Sequence, residues 1–282
     1  QIYIILSIFF NAVFFPILGV LNGNSQNDIY ADTIDKCMSE PIVVDIQNLT
    51  KIYPGRNEPA VNNLNLQIHQ GEFYGLIGPN GAGKTTTISV MSGLLKPTDG
   101  EIFIQGYNLK RDLSKIKEII GVVPHEIALY DKLTAFENLY YFGRLYGVKK
   151  VQLKKSIDSL LERFGLIKYK NDKLRSYSGG MKRRINLIAG ILHNPNILIL
   201  DEPVLGVDVH SRKVIREFIK EVNANNTTII YTSHMMEDVE KLCTRLSIID
   251  YGELVAQGSS GELIANNKDC NSLEEVFLKV TG

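Results

Sequence analysis

Residues 43–53 alternate apolar and polar side chains, the period-two mark of a strand with one face covered. The alternation recurs at 64–69 (LNLQIH), and 72–77 (EFYGLI) predicts a third strand that runs directly into a Gly-rich turn. Helical spacing follows at 85–95, then a short strand pattern at 102–105. Over 133–175 the character changes: Leu, Lys, Glu and Tyr recur at helical spacing with few strand signals, which predicts a helical insert. Strand patterns return at 197–200, 228–231 and 246–249, separated by helical stretches at 210–223 and 235–242. A polar break at 266–268 precedes a short helix at 273–280. Strands alternating with helices predict an α/β fold on a largely parallel sheet covered on both faces.

The first 22 residues (QIYIILSIFFNAVFFPILGVLN) stand apart from this pattern, being apolar and long enough to span a bilayer. No Lys or Arg precedes Lys36, so the basic flank of a secretory signal is missing. Three readings stay open: a membrane helix fused ahead of the domain, a targeting segment, and a native start at Met38. The run Met38-Ser39-Glu40-Pro41 leads straight into the first strand pattern and favours the last. The expected organisation is a leader over 1–37 and one domain over 38–282, with the helical part at about 126–192.

Charge narrows the function. Lys plus Arg and Asp plus Glu both number 31, so the formal net charge is zero. No global field favours nucleic acid. Cys37, Cys243 and Cys270 match no zinc or redox spacing and read as reduced thiols.

The sharpest local signal is Gly78-Pro79-Asn80-Gly81-Ala82-Gly83-Lys84-Thr85, a full G-x-x-x-x-G-K-[ST] match between a strand and a helix. Glycines let the backbone curl so that successive N–H groups face an anion. The following helix adds the positive end of its dipole. Lys84 is placed to reach outer phosphates, and the Thr85 hydroxyl to ligate Mg²⁺. By itself the loop implies a nucleoside triphosphate, not which one.

The apolar strand 197–200 ends in Asp201-Glu202. Parallel sheets present ligands at the C-terminal ends of their strands. Asp201 is therefore expected at the metal and Glu202 at the γ-phosphate, as the base that orients and polarises water. His234 ends the neighbouring strand and is a second candidate for that phosphate. Alone, the acidic pair is equally a polar turn and His234 a structural histidine; the phosphate loop upstream gives both a function.

Between the helical insert and the acidic strand lies Tyr177-Ser178-Gly179-Gly180-Met181-Lys182-Arg183-Arg184. In this order of motifs it resembles the signature of ATP-binding cassette (ABC) proteins, over nearly everything from residue 42 onward. It is similar to the ATPase subunit of exporters whose permease is a separate chain, the group of drug, polysaccharide and Nod-factor exporters. The resemblance implies a P-loop NTPase fold: a RecA-like, mostly parallel core, an antiparallel β subdomain and a helical subdomain. It further implies that Tyr53 stacks on adenine and that Gly78 to Thr86 hold the phosphates and Mg²⁺. Ser178, Gly179 and Gly180 would complete a partner subunit's ATP site, Asp208 would communicate across the dimer, and His234 would steady the transferring phosphoryl group. The implied cofactors are ATP and Mg²⁺. The implied partners are a membrane permease and a second ATPase subunit, identical or paired, with no nucleic acid, at the cytoplasmic face of the membrane.

Two positions depart from the family pattern. His125 follows Val122-Val123-Pro124 where Gln is usual, at a place expected to touch Mg²⁺ or the attacking water. Imidazole is a weaker ligand for a hard cation than an amide oxygen. Met181 replaces the usual Gln after Ser-Gly-Gly. Lys182-Arg183-Arg184 reads as a solvated helix face or a contact to the protein's own core, in preference to a nucleic-acid patch. The competing functions are a soluble ABC ATPase working on ribosomes or DNA and a non-hydrolysing nucleotide-binding regulator. The first usually carries two cassettes or a long coiled-coil insertion. Intact Lys84, Asp201, Glu202 and His234 argue against the second. The aromatic stretch 133–146 (LTAFENLYYFGRLY) is either core or part of a groove for the permease.

Overall fold

The computed structural model describes residues 40–282, so the leader, Cys37 and the candidate start at Met38 lie outside the described residues. Two strands open the domain, β1 (Ile42–Lys51) and β2 (Val61–His69), and β3 (Phe73–Ile77) leads through the Gly-rich turn into α1 (Lys84–Met91). Next come β4 (Asp99–Ile104), β5 (Tyr107–Asn108), α2 (Leu113–Ile119) and β6 (Ile120–Val123). The helical insert is α3 (Ala135–Leu145), α4 (Lys150–Arg163) and α5 (Gly179–Ile191). The chain then alternates β7 (Ile197–Asp201), α6 (Val209–Ala224), β8 (Thr228–Thr232), α7 (Met236–Leu242) and β9 (Arg245–Asp250). It closes with β10 (Glu253–Gly258), α8 (Ser260–Asn266) and α9 (Leu273–Thr281).

The six-stranded sheet has the order β10-β9-β3-β8-β7-β6. It is parallel except for β10, which pairs antiparallel with β9. Its strands β3, β7 and β8 are buried at every position, which is why they read as unbroken apolar runs. The smaller sheet, β2-β1-β4-β5, is antiparallel throughout and keeps the alternation of a sheet with one wet face. One apolar cluster joins this sheet to α1 and to Tyr74, Leu76, Ile199 and Ile230 of the large sheet. A second packs Leu139, Leu153, Ile157 and Ile188 of the insert with Leu198, Leu200, Ile219 and Tyr231. A third seats α8 and α9 on Ile77, Leu246 and Ile248.

The α/β class and the helical insert agree with the reading of the pattern. Differences fall at boundaries and on short elements. The strand expected to 53 stops at Lys51, and the helix expected to 95 ends at Met91, where Gly93 takes φ 72° and turns the chain. The elements β5, β6, α2, β10 and α8 are two to seven residues long, too short to show a periodicity. Helix α5 begins in a Ser-Gly-Gly run of low helix propensity and forms because Ser178 caps it, accepting a hydrogen bond from Met181 N at 3.2 Å. Among the described residues no helix is long and apolar enough to cross a membrane.

Candidate active site

The phosphate loop, Asp201, Glu202 and His234 lie at the C-terminal end of the parallel sheet, where β3, β7 and β8 open onto their loops. The loop after β3 curls tightly. Gly83 holds φ 101°, and a Cβ there would sit 2.4 Å from Ala60 O, so only glycine fits. The loop delivers Lys84 to the first turn of α1, 6% exposed, with Nζ donating to Gly78 O at 2.7 Å and Pro79 O at 2.9 Å. Burial lowers the Lys84 pKa, while the nearby carboxylates of Glu202 and Asp201 act to raise it. The ammonium therefore rests on two carbonyls, weaker partners than the oxygens of a phosphate.

Beside the loop, Thr85 Oγ1 donates to Asp201 Oδ2 at 3.4 Å. The other Asp201 oxygen accepts from Thr232 Oγ1 at 2.7 Å, and Thr232 Oγ1 also accepts from Glu202 N at 3.0 Å. Thr232 thus orients both acids, a role that sequence reasoning missed although the residue stands two places before His234. The backbone at Glu202 is left-handed, φ 48°, an uncommon state for a side-chain-bearing residue. Its carboxylate meets the His234 ring, Oε1 to Nε2, at 2.6 Å. Asp201 is 4% exposed, whereas the His234 side chain is 35% exposed and open to a ligand.

Thr85, Asp201, Glu202 and His234 line one cavity of ≈ 720 Å³ together with Asn80, Pro124 and His125. His125, expected at the metal or the attacking water, lies on this cavity's wall. Its imidazole is on the exposed wall, and its carbonyl accepts from Arg183 Nη1 at 2.7 Å. Arg183 is 7% exposed and also donates to Pro124 O at 3.2 Å. Asn186, one turn along α5, donates to the same Pro124 carbonyl at 3.3 Å. Arg183 thus makes the contact to the protein's own core that was one of its two expected readings, whereas Asn186 was not singled out by the sequence. Their neighbours are also engaged within the fold: Lys182 pairs with Asp131, and Arg184 donates to Phe164 O at 2.8 Å.

The structure does not bring the Ser-Gly-Gly run into this cavity. Ser178 and Gly179 are exposed at the start of α5, and nothing lies within 4 Å of a Cβ built on Gly179. Gly180 is buried against the start of α6, where its Cβ would stand 2.7 Å from Asp208 Oδ2. Asp208 caps α6, accepting from Ser211 N at 2.9 Å, and those hydrogen bonds hold its carboxyl below the usual range. Within the chain Asp208 therefore joins the start of α5 to α6. Tyr53, 38% exposed, stands beside the phosphate loop with its hydroxyl 3.2 Å from Thr86 Oγ1.

Thr85 and Asp201 present hard oxygen donors next to a phosphate-binding loop. That set fits Mg²⁺, which takes one or two carboxylates and completes its shell with phosphate and water oxygens. The nitrogen of His125 fits the same ion less well.

Comparison with known proteins agrees with this geometry. The family model described as ABC transporter matches residues 61–205. The linearmycin resistance ATP-binding protein LnrL of Bacillus subtilis (strain 168) is 46% identical over 217 residues, 77% of this chain and 69% of that protein. The Nod factor export ATP-binding protein I of Cupriavidus pinatubonensis is 37% identical over 215 residues, 76% of this chain and 66% of that protein. A solved ATP-binding cassette, a dimer in a post-hydrolysis state bound to ADP and Pi, superposes with a TM-score of 0.71 at 27% identity, covering 77% of this chain and 98% of that one. A phosphate loop, an acidic strand end and a histidine converging on one cavity, on the fold those proteins share, place this chain in the ABC transporter family as an ATP-binding, ATP-hydrolysing subunit.

Proposed function

We propose that the chain powers an exporter, as one of two ATPase subunits on a separate permease at the cytoplasmic face of a membrane. The names of its relatives, linearmycin resistance and Nod factor export, favour outward transport. The observation that carries the catalytic reading is the Glu202–His234 contact at 2.6 Å, on the cavity that also holds Thr85 and Asp201.

In this reading ATP lies along the loop from Gly78 to Thr86, with adenine on the Tyr53 ring. The Lys84 ammonium leaves the Gly78 and Pro79 carbonyls for the β- and γ-phosphate oxygens. Thr85 and Asp201 would hold Mg²⁺, with His125 on the same cavity wall, and the ion would supply neutralisation of charge on the phosphates. Glu202 accepts a proton from the water that attacks the γ-phosphorus. His234, released from Glu202 when the nucleotide enters, donates from Nε2 to a γ-phosphate oxygen.

Ser178 and Gly179 are exposed, Gly180 is buried behind them, and none of the three lines this cavity, which supports their serving the ATP of a second subunit in a head-to-tail pair. Two ATPs would then be sandwiched, and ligand preference for the closed pair would drive the stroke. Residues 38–282 form the nucleotide-binding domain in this reading, with 126–192 as the helical subdomain that meets the permease.

Steady-state MgATP hydrolysis by the full chain beside Glu202→Gln tests the assignment. Turnover should fall by roughly 10²–10⁴-fold, the contribution of a positioned general base, while ATP binding persists. A Glu202→Gln chain that hydrolyses ATP at the wild-type rate would remove Glu202 from the mechanism.

A further inference from the structure

His234 sits in the turn between β8 and α7. Ser233 Oγ accepts from Met235 N at 3.0 Å, and Asp238 N donates to Met235 O at 3.0 Å, so the turn is tight. Asp238 follows in the first turn of α7 and is 1% exposed, an uncommon burial for a carboxylate. Its Oδ1 is paired with Arg216 Nη2, and its Oδ2 accepts from Tyr231 Oη at 3.4 Å. Arg216 stands on α6, two turns beyond the cap Asp208, and Tyr231 is the fully buried residue three places before His234. Desolvation and the Asp238 charge raise the Tyr231 pKa, so its hydroxyl stays protonated and donates. A buried carboxylate without a cation is strongly unfavourable, so Asp238 has one position in the fold, set by α6.

We propose that the Arg216–Asp238 pair is a positioning device for His234, fixing the His234 turn to α6 and hence to the start of the signature helix. The pair touches neither nucleotide nor water; it acts through His234. This rests on the reading of His234 as a γ-phosphate ligand. A γ-phosphate contact exists for ATP and not for ADP, so misplacing His234 must lower ATP affinity and turnover and leave ADP affinity alone. The pair is also placed to relay. Asp208 at one end of α6 abuts Gly180, and Arg216 on the same helix grips the His234 turn, so a shift at the signature reaches the histidine through one rigid helix.

The test is a double-mutant cycle on the full chain with Asp238→Asn and His234→Ala, reading kcat, ATP and ADP affinities and Tm. Asp238→Asn keeps the shape and the Tyr231 hydrogen bond, so the fold survives, whereas Arg216→Gln would strand a buried charge. The expected result is a kcat lower by up to about 10²-fold in Asp238→Asn, the cost of misplacing a group at the reacting centre by about 1 Å, with a reduced ATP:ADP affinity ratio and unchanged ADP affinity. Adding Asp238→Asn to His234→Ala should cost no further turnover, since the pair has nothing left to position. Arg216→Lys alone, which keeps both the cation and the Asp238 carboxylate, should lose less turnover than Asp238→Asn. Wild-type kcat and ATP:ADP ratio in Asp238→Asn, or additive losses in the cycle, would overturn the proposal. If His234→Ala itself keeps full turnover, the role of His234 fails first, and the two failures are thereby distinguished.

Discussion

Gly180→Ala is the smallest change that separates the chain's own ATP site from the one it completes. The new Cβ would lie 2.7 Å from Asp208 Oδ2, 2.8 Å from Ser211 Oγ and 3.2 Å from Ser211 Cβ. Ordinary contact needs roughly 3.5 Å, so the starts of α5 and α6 must part by about 0.7 Å. Overpacking of this kind costs about 1–3 kcal/mol, and loss of the Asp208 cap about 1 kcal/mol of that. At roughly 2–4 °C per kcal/mol for a domain of this size, Tm should drop by some 2–12 °C, and the chain stays folded at 25 °C. The displaced Ser178 carries the larger effect, because a misplacement of about 1 Å can cost on the order of 10²-fold in rate. ATP affinity of the variant's own phosphate loop, which α5 does not touch, should be unchanged. Mixing Gly180→Ala with Lys84→Ala chains should restore hydrolysis, since each mixed pair contains one sound loop facing one sound signature. Loss of ATP affinity in step with turnover in Gly180→Ala, with no recovery in the mixture, would refute the head-to-tail reasoning.

Two further outcomes follow from single side chains. His125→Gln should keep or raise MgATP hydrolysis, because an amide oxygen suits a hard cation better than an imidazole nitrogen; an inactive variant in the steady-state assay contradicts this. His193 stacks on Tyr146 at 3.8 Å, and its Nε2 lies 2.9 Å from Ile120 O, so that nitrogen carries the proton. Burial pushes its pKa below the ordinary 6.5. The unfolded chain therefore binds more protons as pH falls through about 6.5, and folded stability declines there. His193→Phe keeps the stack and removes the titration, so its Tm should fall less between pH 7.5 and 5.5 than that of the wild type, by thermal melts. An identical slope would show that His193 is not the group responsible.

The sequence by itself determined the class of fold and most of the chemistry. Buried parallel strands must be apolar along their whole length, and the apolar runs before Gly78, Asp201 and His234 declared themselves for that reason. The phosphate loop was legible because its function constrains the backbone: Gly83 sits at φ 101° against Ala60 O, where no side chain fits. What only the tertiary structure decided is how these segments meet. The order β3-β8-β7 places Thr232 between Asp201 and Glu202, a contact spanning some thirty residues of chain that no local pattern encodes. For Arg183 the sequence left open a solvated helix face or a contact to the protein's own core. Arg183 is buried because α5 docks on the end of β6, where the free carbonyls of Pro124 and His125 need a donor. Asp238 carries no local mark of its burial, and its pairing with Arg216 depends on two helices separated by a strand. Periodicity reports which face of an element is covered. It carries no record of what covers it, because packing partners are chosen by the topology of the whole sheet.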